Sequence, residues 1–326
     1  MTDVLRWGVL GCASIARRVV PAIANVAGNT VAAVASRSLD KARAFADELA
    51  IPRGFGSYAE MLASGEIDVV YNPLPNSLHA EWTIHALERG LPVLCEKPFT
   101  VNAAEARMVI AAAHRAGRPV GEAFMYRHHP LYAQVARSIA EGAIGELRLV
   151  SGVFTFALGD RNEIPASAAL GGGSLRDVGC YPVNLARLVT GAEPSRVFAM
   201  AHFGEVDDTL AAVLEFPGNV VAQVASSIES EERAHAEILG TRGAILLDSP
   251  WFPGDGFTLV REGQSQRVTC ATGDGYALEV EDFARAVRTG SAPRWPAEDA
   301  LANMIVVDAI LESARAGHAV ELAGAA

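Results

Sequence analysis

The chain has 326 residues, 50% of them hydrophobic and 20% charged, with a formal net charge of −11. This length suffices for two domains with separate cores, and the composition is typical of a globular protein rather than a disordered one. The negative charge argues against a general surface for nucleic acids or anionic membranes, although it leaves room for a local basic pocket.

The cysteines and the apolar runs indicate in which cellular compartment the protein is expected. Cys12, Cys95, Cys180 and Cys270 are far apart and form no CxxC pair, which argues against a zinc site and a disulfide framework. The N-terminus has no apolar signal core, and no apolar run approaches a membrane-spanning length. We therefore expect a cytoplasmic protein with no bound metal, no membrane association and no nucleic-acid partner.

The first third of the chain alternates strand-like runs with helical patterns. Strands are predicted over 7–10 and 31–35, with a tight turn and a helix between them. The G-x-G-x-x-G/A fingerprint of a dinucleotide-binding turn stands here as Gly11, Ala13 and Ala16. Gly11 permits the sharp turn, and the small side chain of Ala13 lets backbone amides approach a pyrophosphate. The alternative is a plain turn between a strand and a helix.

The end of the second strand bears on which nicotinamide cofactor binds. An NAD site usually carries an acidic residue there for the ribose 2′-hydroxyl, whereas this chain has Ser36-Arg37-Ser38. The serines can donate hydrogen bonds, and Arg37 can stack on adenine or bind a 2′-phosphate. We therefore predict NADP, with NAD as the second choice. The alternative is an ordinary polar loop that leads into the next helix.

Two further strands end in candidate binding residues. The strand over 67–71 ends in the segment 72–76, and the strand after the next helix ends in Glu96 and Lys97. In an open parallel sheet, ligands bind beyond the carboxyl ends of the strands, so these residues are expected to face one crevice. Only Lys97 and Lys41 are lysines among the 27 basic residues, and a lysine can lose its proton where an arginine cannot. The alternative for Lys97 is a surface cation.

After about residue 123 the alternation stops, and strand-like runs joined by short turns predict antiparallel hairpins. Two helices, over 278–289 and 297–316, close the chain. We therefore expect an α/β Rossmann domain with a doubly wound parallel sheet over 1–122. An α+β domain with a large, open, mostly antiparallel sheet is expected over 123–326. One face of that sheet would be buried in a homodimer or homotetramer.

The glycine-rich segment 171–182 stands apart within the second domain. Its three consecutive glycines let the backbone pass close to a ligand or another element. Asp177 and Tyr181 are four residues apart and would share a face if the turn between them is helical. The other interpretation is a helix that starts only at Pro182, a favoured first-turn residue, behind a glycine-rich connection with a packed tyrosine.

Taken together, these motifs resemble the Gfo/Idh/MocA family, which includes glucose-fructose oxidoreductase and inositol dehydrogenase. Tyr181 stands where inositol dehydrogenases typically carry histidine, and this resembles the branch of xylose 1-dehydrogenase and dimeric dihydrodiol dehydrogenase. The resemblance covers almost the full chain and rests on GVLGCASIA at 8–16, LPNSLH at 74–79, CEKPF at 95–99, EAFMYRHHP at 122–130 and GGGSLRDVGCYP at 171–182.

The resemblance implies an NADP-dependent oxidoreductase that acts on a sugar-like or cyclic polyol substrate. It implies Lys97 and Tyr181 as catalytic residues and Asp177 as a residue that orients the substrate. His79 is expected to bind a sugar hydroxyl with Asp177, and the alternative for it is a helix-capping or packing role. Arg127 or His128 is expected to line the far wall of the substrate site. The predicted cofactor-binding residues are Gly11, Cys12, Ala13, Ser14, Ile15, Ser36, Arg37, Pro73, Leu74, Asn76, His79, Glu96 and Lys97.

A chemical hypothesis follows for the lysine and the tyrosine. A free tyrosine has a pKa of about 10, too high for an efficient base at neutral pH. An ammonium within about 4–6 Å favours the phenolate, so Lys97 would tune Tyr181 for proton exchange with the substrate. The same residues serve oxidation and reduction. The alternatives are therefore a keto-sugar reductase on free or nucleotide-linked sugars, an NADP-binding sugar sensor without turnover, and glycoside cleavage with transient redox.

Overall fold

The computed structural model describes residues 4–322 of the chain. Within the described residues, 4–125 and Asp274–Leu301 form one compact unit, and Tyr126–Gly273 and 302–322 form a second. The domain boundary drawn between residues 122 and 123 stays a prediction. The sequence patterns did not indicate that residues 274–301 return to the first unit.

The first unit contains a six-stranded parallel sheet with helices between its strands. The strands are β1 (Leu5–Leu10), β2 (Asn29–Ala35), β3 (Arg53–Phe55), β4 (Val69–Asn72), β5 (Val93–Glu96) and β6 (Val120–Ala123). The helices between them are α1 (Ala16–Asn25), α2 (Leu39–Glu48), α3 (Tyr58–Ala63), α4 (His79–Leu87) and α5 (Ala103–Ala116). The strand order β3-β2-β1-β4-β5-β6 confirms the predicted doubly wound sheet. Every residue of β4, β5 and β6 is buried, because helices cover both faces of such a sheet.

Parallel pairing aligns the carboxyl ends of four strands at one edge of this sheet. The paired residues are Leu10 with Ala35, Val9 with Tyr71, and Asn72 with Cys95. The loops that leave β1, β2, β4 and β5 therefore start side by side. They contain the predicted phosphate-binding turn, the Ser36-Arg37 pair, the segment after Asn72, and Lys97.

The second unit contains a nine-stranded, mostly antiparallel sheet, as predicted. Its strands are β7 (Leu147–Ala157), β8 (Arg196–Phe203), β9 (Asp207–Phe216), β10 (Val220–Ser227), β11 (Glu229–Gly240), β12 (Gly243–Leu247), β13 (Gly256–Arg261), β14 (Gln264–Thr269) and β15 (Val320–Glu321). Two helices, α6 (Pro130–Ala140) and α7 (Cys180–Thr190), belong to the same unit. The strand order is β14-β13-β12-β11-β7-β10-β9-β8-β15, and β7 and β10 form its parallel pair.

One face of the nine-stranded sheet is covered and the other is open. Helix α7 packs on β7 and β10, and Gly152 permits this because a Cβ there would lie only 2.7 Å from Pro182 Cβ. On the opposite face, large apolar side chains are exposed on β8 and β9, including Phe198, Met200 and Val213. Met200 is 71% exposed, which is unusual for an apolar side chain within a strand.

Two further helices, α8 (Gly275–Thr289) and α9 (Ala297–Ala316), follow the last long strands. Helix α8 belongs to the first unit, where its Phe283 ring packs against the buried Trp7 ring at a centroid distance of 6.1 Å. Arg288 of the same helix donates a hydrogen bond to the Gly28 carbonyl. The amphipathic pattern of α8 predicts a helix with a buried face, but it carries no information about which sheet that face covers.

Three strands were absent from the sequence prediction: β3, β14 and β15. All three are edge strands of their sheets. An edge strand pairs on one side and needs little apolar surface, so β14 (Gln264–Thr269) is largely exposed and shows no clean alternation. Within residues 4–322, no helix combines the length and the apolar character that a membrane crossing requires.

Candidate active site

The turn after β1 has the backbone conformation that a dinucleotide-binding turn requires. Gly11 has φ +85°, and a Cβ at this position would lie 2.9 Å from Leu74 Cδ2, so both conformation and space favour glycine. Helix α1 begins at Ala16 without a side-chain cap on its free amides and without an acidic residue in its first turn. Its positive end is therefore suited to an anion such as a pyrophosphate.

The other predicted residues of this turn are Cys12, Ala13, Ser14 and Ile15, and all four are at least partly exposed. The Cys12 thiol contacts the Lys41 carbonyl, with 3.7 Å between sulfur and oxygen. Burial raises the pKa of the Cys12 thiol, so the group stays protonated and uncharged near neutral pH. This thiol is therefore unsuited to act as a nucleophile.

The end of β2 brings hydroxyl and cationic groups together. Ser36 is buried, and its Oγ accepts a hydrogen bond from the Ser38 amide. Arg37 is exposed and interacts with Tyr58; burial raises the pKa of Tyr58, and the Arg37 guanidinium opposes that shift. Lys41 lies in the first turn of α2, where its amide donates to Ser38 Oγ.

Lys41 is a candidate cofactor residue that the sequence analysis missed. The Cys12 thiol contacts the Lys41 carbonyl, and the positive charge of Lys41 acts to lower the pKa of that thiol, against the larger effect of burial, so the lysine lies beside the glycine turn. The sequence itself indicates this position of Lys41, because a residue three positions after a helix-capping serine lies in the first turn of the helix, beside that cap.

A buried amide holds the loop that follows β4. Asn72 Nδ2 donates to the His79 carbonyl and to Thr83 Oγ1, and Asn72 Oδ1 accepts from the Leu74 amide. These bonds satisfy the Asn72 side chain inside the protein, as a fully buried amide requires. The predicted cofactor contacts of this loop are Pro73 and Leu74, which are buried, and Asn76, which is partly exposed.

The His79 ring lies buried between two loops of the first unit. The ring is 1% exposed, with Nδ1 2.8 Å from the Pro98 carbonyl and Nε2 2.7 Å from the Leu74 carbonyl. Burial lowers its pKa to about 4, although the two carbonyl acceptors oppose this shift. A neutral imidazole carries one N–H, so it donates to one of these carbonyls while its other nitrogen lies beside the second. Because both nitrogens face backbone oxygens, we assign the ring a structural role between the two loops. This agrees with the packing alternative for His79, and its contact with a cofactor or a sugar hydroxyl stays a prediction.

Glu96 fixes the backbone at the end of β5, directly before Lys97. Its Oε1 accepts a hydrogen bond from the Tyr71 hydroxyl at 2.7 Å, and its Oε2 accepts from the Lys97 amide at 3.2 Å. Burial raises the pKa of Glu96, and the positive charge of Lys97 opposes the shift. Lys97 itself is partly exposed at the carboxyl edge of the sheet. The lysine therefore starts from an anchored backbone position.

In the second unit, a π-helical segment, Leu175–Gly179, runs directly into α7. Helical conformation thus begins well before Pro182, so the alternative of a helix that starts only at Pro182 is wrong. Asp177 lies in the π-helical segment and is partly exposed, whereas Tyr181 lies in the first turn of α7 and is 7% exposed. Short π-helical segments are rare and occur frequently at functional sites.

Three aromatic side chains surround the ring of Tyr181. The ring centroids of Phe154 and Trp251 each lie 5.5 Å from it, and that of Tyr126 lies 5.9 Å away. Tyr126 is held in turn, because its hydroxyl donates to Asn184 Oδ1 at 2.6 Å. The sequence analysis did not identify these aromatic residues. They lie on separate elements, and no local pattern links them to the glycine-rich segment.

Arg127 and His128 lie in a short 3-10 turn, Met125–His128. Arg127 is 2% exposed, and His128 is partly exposed. Their contact with a substrate stays a prediction. Across the described part of the chain, no group of three or more histidine, cysteine, aspartate or glutamate side chains is arranged to hold a metal ion.

Two family models match the chain. An oxidoreductase family with an NAD-binding Rossmann fold matches residues 5–124, and the GFO/IDH/MocA C-terminal domain matches residues 132–246. D-xylose 1-dehydrogenase (NADP(+)) 2 of Haloferax volcanii is 41% identical, over 98% of this chain and 100% of that protein. Trans-1,2-dihydrobenzene-1,2-diol dehydrogenase of Xenopus laevis is 33% identical, over 76% of this chain and 77% of that protein.

A solved structure extends the comparison to a sugar reductase. The 3-ketoreductase of Actinomadura kijaniata, crystallised with NADP and TDP-benzene, superposes with a TM-score of 0.91 at 33% identity. The match covers 95% of this chain and 98% of that one. The similarity therefore includes both the parallel sheet and the nine-stranded sheet.

Proposed function

Because this chain belongs to the GFO/IDH/MocA family of oxidoreductases, we propose that it interconverts a hydroxyl and a carbonyl group on a sugar-like or cyclic polyol substrate. The chain is an oxidoreductase that uses a nicotinamide cofactor. The observation that carries the proposal is the alignment of the carboxyl ends of β1, β2, β4 and β5. This alignment places the glycine turn, Ser36-Arg37 and Lys97 on the same side of the parallel sheet. D-xylose is the first substrate to test, since a relative of 41% identity is a D-xylose 1-dehydrogenase.

The cofactor fits the residues at this edge. The uncapped start of α1 suits the pyrophosphate, and Ser36, Arg37 and Lys41 suit a ribose 2′-phosphate. Pro73, Leu74, Asn76 and Glu96 are proposed as further contacts along the same edge. When bound, NADP would supply the nicotinamide ring that accepts or donates the hydride.

Arg37 is expected to determine the preference for NADP. Arg37→Ala removes a charge-assisted hydrogen bond worth about 1.5–3 kcal/mol, so KM for NADP should rise by about 10- to 100-fold while KM for NAD changes little. Steady-state kinetics with both cofactors measures this. Arg43→Ala, at an exposed arginine of the following helix α2, is the matched control. A clear preference for NAD that Arg37→Ala leaves unchanged would contradict the assignment.

We propose that Tyr181, Lys97 and Asp177 carry the proton chemistry. Tyr181 exchanges a proton with the substrate oxygen, as a base in oxidation and as an acid in reduction. Lys97 supplies a positive charge that favours the phenolate, and Asp177 binds a neighbouring hydroxyl of the substrate. Arg127 is proposed as a further substrate contact. The role of each group follows from the family pattern and its chemistry.

A substrate panel tests the activity. NADPH formation is followed by its ultraviolet absorbance with aldoses, polyols and dihydrodiols, and NADPH consumption is followed with keto sugars. A keto-sugar reductase is the second candidate, because the Actinomadura enzyme of similar fold is a 3-ketoreductase. Cofactor binding without turnover of any of these compounds would favour the sugar sensor. A tightly retained cofactor with no net NADPH would favour transient redox.

We propose a homodimer or homotetramer in which a second copy covers the open face of the nine-stranded sheet. Support comes from the exposed apolar side chains of β8 and β9. Met200→Glu places a charge on this face and should shift the protein to a monomer in size-exclusion chromatography with light scattering. Met108→Glu, at an exposed methionine of α5, should leave the oligomer intact. A wild-type protein that is monomeric throughout would contradict this proposal.

We also propose cytoplasmic residence. The four cysteines all lie in the described part of the chain and form no disulfide bond there, which suits a reducing compartment. Cell fractionation followed by immunodetection measures the distribution directly.

A further inference from the structure

Strand β9 begins with two neighbouring aspartates, Asp207 and Asp208, whose carboxylates bind different partners. Successive side chains of a strand point to opposite sides of the sheet. Asp207 Oδ2 accepts hydrogen bonds from the Leu175 amide at 2.7 Å and from Ser174 Oγ at 3.1 Å. Asp208 Oδ1 instead accepts from Arg161 at 2.7 Å. Both aspartates are 3% exposed, so each carboxylate depends on these partners.

The carboxylate of Asp207 caps the π-helical segment from a distant part of the chain. The residue before this segment, Ser174, makes no side-chain cap to it. The first amide, on Leu175, is satisfied by Asp207, 32 residues further along the chain. Ser174 Oγ also lies 2.9 Å from Ser226 Oγ on β10, so two strands hold the start of the segment.

The glycine run is what allows this contact. Gly173 has φ +116°, and a Cβ at this position would collide with Asp207 Oδ1. A Cβ on Gly172 would lie 2.5 Å from the Pro165 carbonyl oxygen. The consecutive glycines therefore let the backbone reach the carboxylate. This is a structural reason for the run that does not involve a ligand.

We propose that Asp207 is a positioning residue, which fixes the start of the π-helical segment and thereby the orientation of Asp177 and Tyr181. This inference rests on the proposed function. Hydrogen bonds to a carboxylate are about twice as strong as neutral ones, which suits a fixed anchor. A displacement of about 1 Å in a reacting group can lower a rate by about 100-fold.

Two substitutions at Asp207 test the anchor. Asp207→Ala removes both acceptor contacts and should lower kcat by about 10- to 100-fold. Asp207→Asn keeps one neutral acceptor and should lower kcat less. KM for NADP should stay within about twofold of wild type, because the cofactor residues lie in the first unit. Asp208→Asn, an equally buried carboxylate on the same strand, is the control and should keep kcat within about twofold.

A double-mutant cycle separates positioning from a general structural loss. If Asp207 acts through Tyr181, Asp207→Ala should lower kcat much less in a Tyr181→Phe background than in wild type. Equal losses in both backgrounds, or a normal kcat for Asp207→Ala, would overturn the inference. If Asp207→Ala does not fold, Asp207→Asn takes its place in the cycle, with thermal unfolding and circular dichroism as the test of folding.

The cycle also distinguishes this inference from the proposed function. A normal kcat for Tyr181→Phe alone would remove the role of Tyr181, whatever Asp207 does. A large loss for Tyr181→Phe with a normal kcat for both Asp207 variants would leave the proposed function intact and overturn only the positioning role.

Discussion

Tyr181→Phe is expected to lower kcat by about 10²- to 10⁴-fold, the usual contribution of a positioned general acid or base. The substitution removes only the hydroxyl group. The ring should keep its packing against Phe154, Trp251 and Tyr126, so the fold and KM for NADP should change little. Steady-state kinetics with the best substrate of the panel, together with thermal unfolding, measures both expectations.

Tyr132→Phe is a matched control for this prediction. Tyr132 belongs to the same aromatic group, since its ring packs against Tyr126, but its hydroxyl donates to the Pro250 carbonyl. Its removal should lower stability by about 1 kcal/mol, the typical worth of a hydrogen bond, and leave kcat within a few-fold of wild type. Equal effects of the two substitutions on kcat would show that Tyr181 has no special role in proton exchange.

The second large effect is expected at Lys97. Lys97→Ala should lower kcat by about 10²- to 10³-fold, because it removes a fixed positive charge close to the proposed reaction centre. Its loss also disfavours the phenolate, so the rise of kcat with pH in the oxidative direction should move to higher pH. The pH profile of kcat for wild type and variant measures this, and it separates an electrostatic role from simple loss of fold.

Lys97→Arg sharpens the test because it keeps the charge and changes the geometry. An arginine presents a planar fork instead of a compact ammonium and does not lose its proton in proteins. We expect Lys97→Arg to retain the wild-type pH dependence with a reduced kcat. A Lys97→Ala variant with near-normal kcat and an unshifted profile would contradict the assignment of this lysine.

The sequence alone was informative where the relevant contacts are local. The strand, turn and helix around Gly11 follow from a few consecutive residues, because φ +85° at Gly11 and the helix that begins at Ala16 are properties of that short stretch. The buried parallel strands were recognisable as apolar runs, and the strands of the second unit as alternating ones. The spacing of apolar residues along an element indicates which of its faces is buried, and the order of such elements along the chain made the fold class predictable.

The exact start of the helix around Tyr181 was harder to predict. Pro182 is a favoured first-turn residue, so the sequence allowed a helix that begins only there. The structure begins helical conformation at Leu175, with the first amide bonded to Asp207. Because that acceptor belongs to another strand, no pattern within the glycine-rich segment identifies it.

The sequence by itself determined the class of each sheet and the dinucleotide-binding turn, whereas the catalytic roles of Lys97 and Tyr181 stay a prediction that the family resemblance implies. Only the tertiary structure decided that α8 belongs to the unit of the first sheet and that both nitrogens of the His79 ring lie beside backbone carbonyls. It also decided that Asp207 accepts a hydrogen bond from the first amide of the segment before Tyr181. The physical reason is the range of the interactions. Local backbone preference and periodic burial are written in consecutive residues, whereas the partner of a buried polar group is chosen by the packing of distant elements.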